Sequence, residues 1–226
     1  MKRVGILGGM GPDATVLLMK KIVDGIEAED DRDHIPLIVH QNTQVPSRIE
    51  RILEGGRDDP VPILQRMAID LEYMKCDFLA MPCNTAHFYY DQISEKVSIP
   101  VLNMIELSTQ SLVELGLSKI GILASPALKK IGIFEKSFEK HQLQSKFIED
   151  DSEMLNLIKV IKRGFLGNNT INDFKSLVAT LANSDCEGIL IACTELSLLK
   201  EYVPESLPCL DSLDCLIDHI ILKATE

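Results

Sequence analysis

Apolar positions along the chain fall into two patterns. Short, unbroken apolar runs bounded by turn residues alternate with longer stretches in which apolar residues return every three or four positions. The runs Val4–Gly8, Leu37–Asn42, Phe78–Met81, Val101–Asn103, Ile120–Ala124, Gly188–Ala192 and Pro208–Leu210 predict strands. Their lack of polar alternation, clearest in Gly188-Ile189-Leu190-Ile191-Ala192, suits strands covered on both faces, as in parallel sheets. The amphipathic stretches Pro12–Ala28, Pro46–Glu54, Pro60–Met74, His87–Glu95, Ile105–Leu115, Ile131–His141, Met154–Arg163, Ile171–Ala182 and Asp211–Lys223 predict helices. Pro12 and Pro60 stand where a first helical turn tolerates proline. Strand–helix alternation of this kind predicts an α/β fold on parallel sheets.

An internal repeat organises these elements. Arg3-Val4-Gly5-Ile6-Leu7-Gly8 recurs 116 positions later as Lys119-Ile120-Gly121-Ile122-Leu123-Ala124. Cys76-Asp77, five residues and Cys83 recur 110 positions later as Cys186-Glu187, five residues and Cys193. Two matches in the same order and at similar offsets predict two similar α/β lobes facing each other. The first lobe is expected over residues 1–104 and the second over 105–210, with 211–226 returning to complete the first.

Composition narrows the class. With 226 residues, 46% hydrophobic and 25% charged, the chain reads as a globular domain with a core. It has no Trp and 5% aromatics, so that core must be aliphatic. A net charge of −11 argues against nucleic acid or an anionic membrane as partner, because phosphate binding needs clustered Lys and Arg. No run approaches the about 18 apolar residues of a membrane span. The opening Met1-Lys2-Arg3 followed by Val4–Leu7 is too short and glycine-broken for a secretion signal, and reads as a buried first strand. The six cysteines include no Cys-x-x-Cys pair. Reduced thiols in a cytoplasmic protein are therefore expected rather than a disulfide framework, and a zinc site is not.

In open parallel sheets, ligands bind beyond the carboxyl ends of the strands. Cys83 and Cys193 stand at such ends in equivalent places of the two lobes, so facing lobes would set the two sulfurs across one cleft. A following helix N-terminus is expected to lower both thiol pKa values. One thiolate and one thiol on opposite sides of a carbon can remove a proton from one face and return one to the other. Burial as ordinary core residues is the alternative for both, and is the reading adopted for Cys76, Cys186, Cys209 and Cys215.

Three segments resemble the signatures of the aspartate/glutamate racemase family, most of all its aspartate racemase branch. They are Gly5-Ile6-Leu7-Gly8-Gly9-Met10-Gly11-Pro12-Asp13-Ala14-Thr15, Met81-Pro82-Cys83-Asn84-Thr85-Ala86-His87 and Cys193-Thr194-Glu195-Leu196-Ser197-Leu198-Leu199. The resemblance runs essentially end to end and includes Ile99–Glu106. It implies two Rossmann-like lobes, a cofactor-independent racemase acting on a small amino acid, and a homodimer. The family's catalytic cysteines fall on Cys83 and Cys193. Its carboxylate-binding arginine falls on Arg48, otherwise a solvated arginine at a helix start. Asn84, Thr85 and Ala86 fall on the substrate-cradling turn, Thr194 on its counterpart in the second lobe, and Met10 and Gly11 on the pocket-lining first loop.

Two departures bear on substrate. The lysine that meets a second carboxylate in aspartate-specific members would align with Phe165 or Leu166, with Lys162 and Arg163 upstream, which weakens the expectation of strict selection for an acidic side chain. Glu195 replaces the histidine of typical glutamate racemases. The rival dinucleotide fingerprint, Gly9-x-Gly11-x-x-Ala14, lacks its acidic partner, since Gln41-Asn42-Thr43 ends the second strand. His87 is either an aid to Cys83 or a capping residue. The expected function is racemisation of aspartate, with another amino acid, a hydantoin or non-catalytic binding of small carboxylates as alternatives.

Overall fold

The computed structural model describes residues 1–226. Its first half comprises β1 (Val4–Gly8), α1 (Pro12–Asp24), β2 (Leu37–Gln41), α2 (Arg48–Leu53), α3 (Val61–Tyr73), β3 (Phe78–Ala80), α4 (Tyr90–Ser94) and α5 (Met104–Glu114). The second half comprises β4 (Lys119–Leu123), α6 (Pro126–Ile131), α7 (Ile133–Glu139), β5 (Gln144–Phe147), α8 (Asp151–Lys162), α9 (Asn168–Ala182), β6 (Gly188–Ile191), β7 (Cys209–Asp211) and α10 (Ser212–Thr225). Two parallel sheets result, ordered β2-β1-β3 and β5-β4-β6-β7. The fold is α/β with two parallel-sheet lobes.

The repeat has a physical basis. The Arg3 N–H donates to the Asp77 carboxylate at 2.6 Å, and the Asp77 N–H donates back to the Arg3 carbonyl at 2.8 Å. In the second lobe the Ser118 N–H donates to Glu187 at 2.7 Å, and the Glu187 N–H donates to the Lys119 carbonyl at 2.8 Å. Each acidic residue thus ties the start of one central strand to the start of its neighbour. At Gly5 and Gly121 a Cβ would meet a leucine first, Leu79 Cδ2 at 2.5 Å and Leu181 Cβ at 3.1 Å, with the cysteine beside each acid next. A Cβ at Gly5 would stand 3.0 Å from Cys76 Sγ, and one at Gly121 3.4 Å from Cys186 Sγ.

Aliphatic clusters cover both faces of each sheet. Full burial of each Leu or Ile contributes roughly 1.5–3 kcal/mol. α10 follows β7, a strand of the second sheet, yet inserts Leu213, Leu216, Ile217 and Ile220 among Val4, Ile6, Leu18 and Phe78 of the first lobe. The chain therefore crosses between lobes at Asp211–Ser212.

Several predicted elements differ from those observed. The strand expected at Val101–Asn103 shrinks to one bridge between Leu79 and Val101, because Asn103 turns to cap α5 by accepting from the Ile105 and Glu106 N–H groups. β5 was not predicted: Gln144-Ser145-Lys146-Phe147 is a polar edge strand without an apolar run. α6 was also missed, and Gly132, at φ +61, breaks the backbone between it and α7. The helix expected from His87 starts as a 3₁₀ helix at Asn84 and becomes α-helical only at Tyr90. No helix is long and apolar enough to cross a membrane.

Candidate active site

Both signature cysteines lie just past the ends of corresponding strands, β3 and β6, and each opens a tight turn. The Ala86 N–H donates to the Cys83 carbonyl at 3.1 Å, and the Leu196 N–H donates to the Cys193 carbonyl at 2.8 Å. A 3₁₀ helix follows each, at Asn84–Tyr89 and Leu196–Tyr202. The two turns meet across the lobe junction. Thr194 Oγ1 donates to the carbonyl of Pro82, the residue before Cys83, at 3.2 Å. Thr85 and Ser125 share a second interlobe hydrogen bond, also 3.2 Å. Asn84 Nδ2 donates to Ser212 Oγ at 2.8 Å and so anchors the first turn to the β7–α10 crossing.

A cavity of about 430 Å³ opens beside this junction. Of the residues singled out by sequence, Met10, Gly11 and Arg48 line it. Cys83, Cys193, Asn84, Thr85, Ala86 and Thr194 are buried and do not line it, the two cysteines being 7% and 8% exposed. Lys162 and Glu195 complete the wall with Asp13, Thr43 and Ser47. A wider depression of about 570 Å³, lined by residues of α1, α5 and α10, contains none of Cys83, Cys193 and Arg48, and its Lys21 and Lys200 are both paired with Asp214.

Gly9, at φ +94, lets the loop after β1 turn within 2.5 Å of the Asn42 backbone, measured from where a Cβ would stand. That turn brings Met10 and Gly11 to the cavity. Arg48 begins α2 and is buried, with Nη1 donating to the Pro46 carbonyl at 3.0 Å and Nη2 to the Met10 carbonyl at 3.4 Å. Its Nε has no partner. A buried guanidinium with an unused N–H lining a cavity is suited to receive a carboxylate.

The two cysteines differ in their surroundings. Cys193 Sγ donates to Glu195 Oε2 at 3.2 Å. Burial, and next the Glu195 carboxylate, push the Cys193 thiol well above the ordinary value, against a smaller opposing pull from Lys162. For Cys193 this corrects the expectation that a helix N-terminus would lower the thiol pKa. The following helix is a short 3₁₀ turn, and desolvation with a carboxylate in contact outweighs it. Cys83 has no carboxylate contact. Its carbonyl instead accepts from His87 Nδ1 at 2.9 Å, while His87 Nε2 accepts from the Met104 N–H at 3.1 Å. The imidazole therefore carries its proton on Nδ1 and is neutral, with burial depressing its pKa to about 4. His87 braces the turn and is not placed to take a proton from the thiol.

Lys162 is the residue that position-by-position alignment passed over. Phe165 and Leu166 point outward, 64% and 43% exposed. Lys162, one turn earlier at the end of α8, reaches the cavity and forms an ion pair with Glu195 Oε1 at 3.2 Å. Burial disfavours its ammonium, but Glu195 first, then the Cys193 and Cys83 sulfurs, raise its pKa above the ordinary value, with Arg48 opposing. Lys162 is the last residue of α8, and Gly164, at φ +80, turns the chain off the helix before Phe165.

Paired α/β lobes thus bring two cysteine turns together beside a buried arginine that lines a cavity. Comparison with known proteins supports a family assignment. A model of the Asp/Glu/Hydantoin racemase family matches residues 7–220, and the chain belongs to that family. Among known proteins, the broad specificity amino-acid racemase RacX of Bacillus subtilis strain 168 is 26% identical over 221 residues, 94% of each chain. Among solved structures, the Picrophilus torridus aspartate racemase superposes with a TM-score of 0.89 at 27% identity, over 100% of this chain and 95% of that one. An aspartate racemase homologue from Pyrococcus horikoshii OT3 shares the fold with a TM-score of 0.77 at 22% identity, over the full length of both chains.

Proposed function

We propose that this member of the family is a cofactor-independent amino-acid racemase in which Cys83 and Cys193 transfer the α-proton. Its substrates are amino acids of about the size of aspartate. The observation that carries the reading is the Thr194–Pro82 hydrogen bond, which links the two cysteine turns across the lobe junction. The α-carboxylate pairs with Arg48, whose Nε is unpartnered. Cys83, as thiolate, removes the α-proton, and the electron pair left on the carbon spreads into the carboxylate that the guanidinium holds. Cys193, as thiol, delivers a proton to the opposite face. In the reverse direction Cys193 becomes the base, and Glu195 is positioned to take its proton.

The outward Phe165 and the broad specificity in the name of the Bacillus relative favour a range of amino acids rather than aspartate alone. The proposal includes reduced thiols, a cytoplasmic setting and a homodimer; sedimentation of a monomer at micromolar concentration would remove the last of these. The central test uses Cys83→Ser and Cys193→Ser in D₂O. Racemisation should fall by at least about 10³-fold in each, since a serine hydroxyl is a poor base at neutral pH. Each variant should still wash deuterium into one enantiomer, and the two variants into opposite ones. Wash-in of the same enantiomer by both, or near-normal racemisation in either, would sink the two-base mechanism. Full binding of amino acids with no exchange in the unaltered protein would favour a non-catalytic carboxylate binder.

A further inference from the structure

Resting on the racemase reading, we infer that the Lys162–Glu195 ion pair determines specificity, and that the cavity takes amino acids with uncharged side chains in preference to aspartate. The cavity wall holds two cations, Arg48 and Lys162, and two anions, Asp13 and Glu195. It is charge-balanced before a substrate enters. A zwitterionic amino acid with a neutral side chain preserves that balance, its α-carboxylate going to Arg48. Aspartate brings one further negative charge, for which Lys162 is the remaining cation.

Lys162 is already engaged. Its Nζ stands 3.2 Å from Glu195 Oε1, an oxygen with no hydrogen bond of its own, and the Glu195 side chain is 9% exposed where that of the lysine is 37% exposed. Glu195 is held in place: the residue as a whole is 7% exposed, and its other oxygen accepts from Cys193 Sγ at 3.2 Å. For a β-carboxylate to reach the ammonium it must compete with this fixed carboxylate and lie beside it, like charge against like charge. An amide of the same shape meets no such repulsion. Lys162 and Glu195 therefore act as a neutral wall at the side-chain end of the cavity, rather than as a cation waiting for a second carboxylate.

The test compares L-aspartate with L-asparagine, which match in shape and differ in charge. Deuterium wash-in gives kcat/KM for each, and calorimetry on the Cys83→Ser, Cys193→Ser double variant gives affinities independent of chemistry. The unaltered protein should prefer asparagine by about tenfold or more in both measurements, the scale of one charge-assisted contact denied to aspartate. Glu195→Gln frees Lys162 and should raise the aspartate-to-asparagine ratio by about tenfold, even where turnover itself drops because Cys193 loses its partner. Lys162→Met leaves Glu195 unpaired and should lower that ratio further. A preference for aspartate in the unaltered protein that Lys162→Met abolishes would overturn the inference and leave the racemase reading intact. If nothing is turned over, the racemase reading fails by itself, and the calorimetric ratio still decides the inference. Failure of either ligand to bind would overturn it.

Discussion

The two cysteine turns sit on the same scaffold and are wired differently. In both, a parallel strand ends at a cysteine whose carbonyl accepts the N–H three residues on. In the first lobe a neutral, fully buried histidine braces that carbonyl. In the second, a carboxylate touches the sulfur itself and holds its proton in place. Duplication accounts for the shared geometry of the two turns, and divergence accounts for the carboxylate that touches only the Cys193 sulfur. The shared half of the arrangement brings the two turns to one junction; the unshared half raises the Cys193 thiol.

The comparison breaks most readily at Glu195. Glu195→Gln removes the group that takes the Cys193 proton when Cys193 acts as base. Wash-in of the enantiomer served by Cys193 should then fall by about 10²-fold, within the usual range for losing general-base assistance. Exchange of the enantiomer served by Cys83 should fall much less. Equal losses on the two faces, read by chiral chromatography after D₂O incubation, would show that the two turns are electrostatically equivalent.

On the first-lobe side, His87→Ala removes both hydrogen bonds of a buried imidazole and should cost about 1–3 kcal/mol of stability. The pH dependence has a defined sign. The folded pKa is about 4, below the usual 6.5, so below pH 6.5 the unfolded chain gains a proton that the folded chain refuses. Stability is therefore lost as pH falls from 6.5 towards 4. Denaturant titrations at a series of pH values should show this slope, and its persistence in His87→Ala would assign it elsewhere.

The crossing between lobes shows the opposite slope. Asp211 accepts from Ser197 Oγ and the Leu213 N–H through one oxygen, and its other oxygen is buried without a partner. Burial, with Asp214 adding to it, lifts its pKa from 3.8 to about 6. The folded chain thus holds a proton that the unfolded chain releases between these values, so this residue's contribution is lost as pH rises through 6. Asp211→Asn should stabilise the protein by about 1–2 kcal/mol at pH 7, since an unpaired amide is less costly to bury than an unpaired charge. The gain should vanish near pH 4. A destabilised variant at pH 7 would mean that the charge is compensated.

Much of this arrangement was legible in the sequence, for identifiable reasons. Parallel strands buried on both faces leave unbroken apolar runs, so β1, β4 and β6 stand out from their neighbours. A repeat spaced over 110 residues leaves paired cysteines that local propensity alone would not single out. The edge strand β5 was hidden because one side of it faces solvent and its residues are polar. A repeat copied faithfully should have revealed it, since β5 pairs with β4 as β2 pairs with β1. Alignment on Gly167-Asn168 pointed to Phe165 or Leu166 and left Lys162 upstream, because the left-handed turn at Gly164 that separates them from the end of α8 is not visible in position-by-position comparison. The raised thiol of Cys193 could not be inferred from strand-end position, because it depends on burial and on where the Glu195 carboxylate folds.

The smallest expected effect concerns the cysteines that open the repeat. Cys76 and Cys186 occupy matching places, each packed on the glycine of a central strand. Their surroundings differ in polarity. Cys76 is buried among apolar residues, and burial, its largest influence, raises its thiol pKa. Cys186 is half-buried, and Ser184 Oγ donates to its sulfur at 3.1 Å. A serine hydroxyl at position 76 would need a partner that the apolar cluster does not offer, whereas at 186 Ser184 and solvent are within reach. Cys76→Ser should therefore cost about 1 kcal/mol and Cys186→Ser about half of that or less. Racemisation should stay near normal in both, because Cys76 and Cys186 precede β3 and β6 and so stand at the opposite strand ends from Cys83 and Cys193. If thermal unfolding ranked them in reverse, the two packing sites would be equivalent in shape but not in the polarity assigned to them. If Cys76→Ser instead stopped turnover at unchanged stability, the division of the repeat into one structural and one chemical cysteine per lobe would fail.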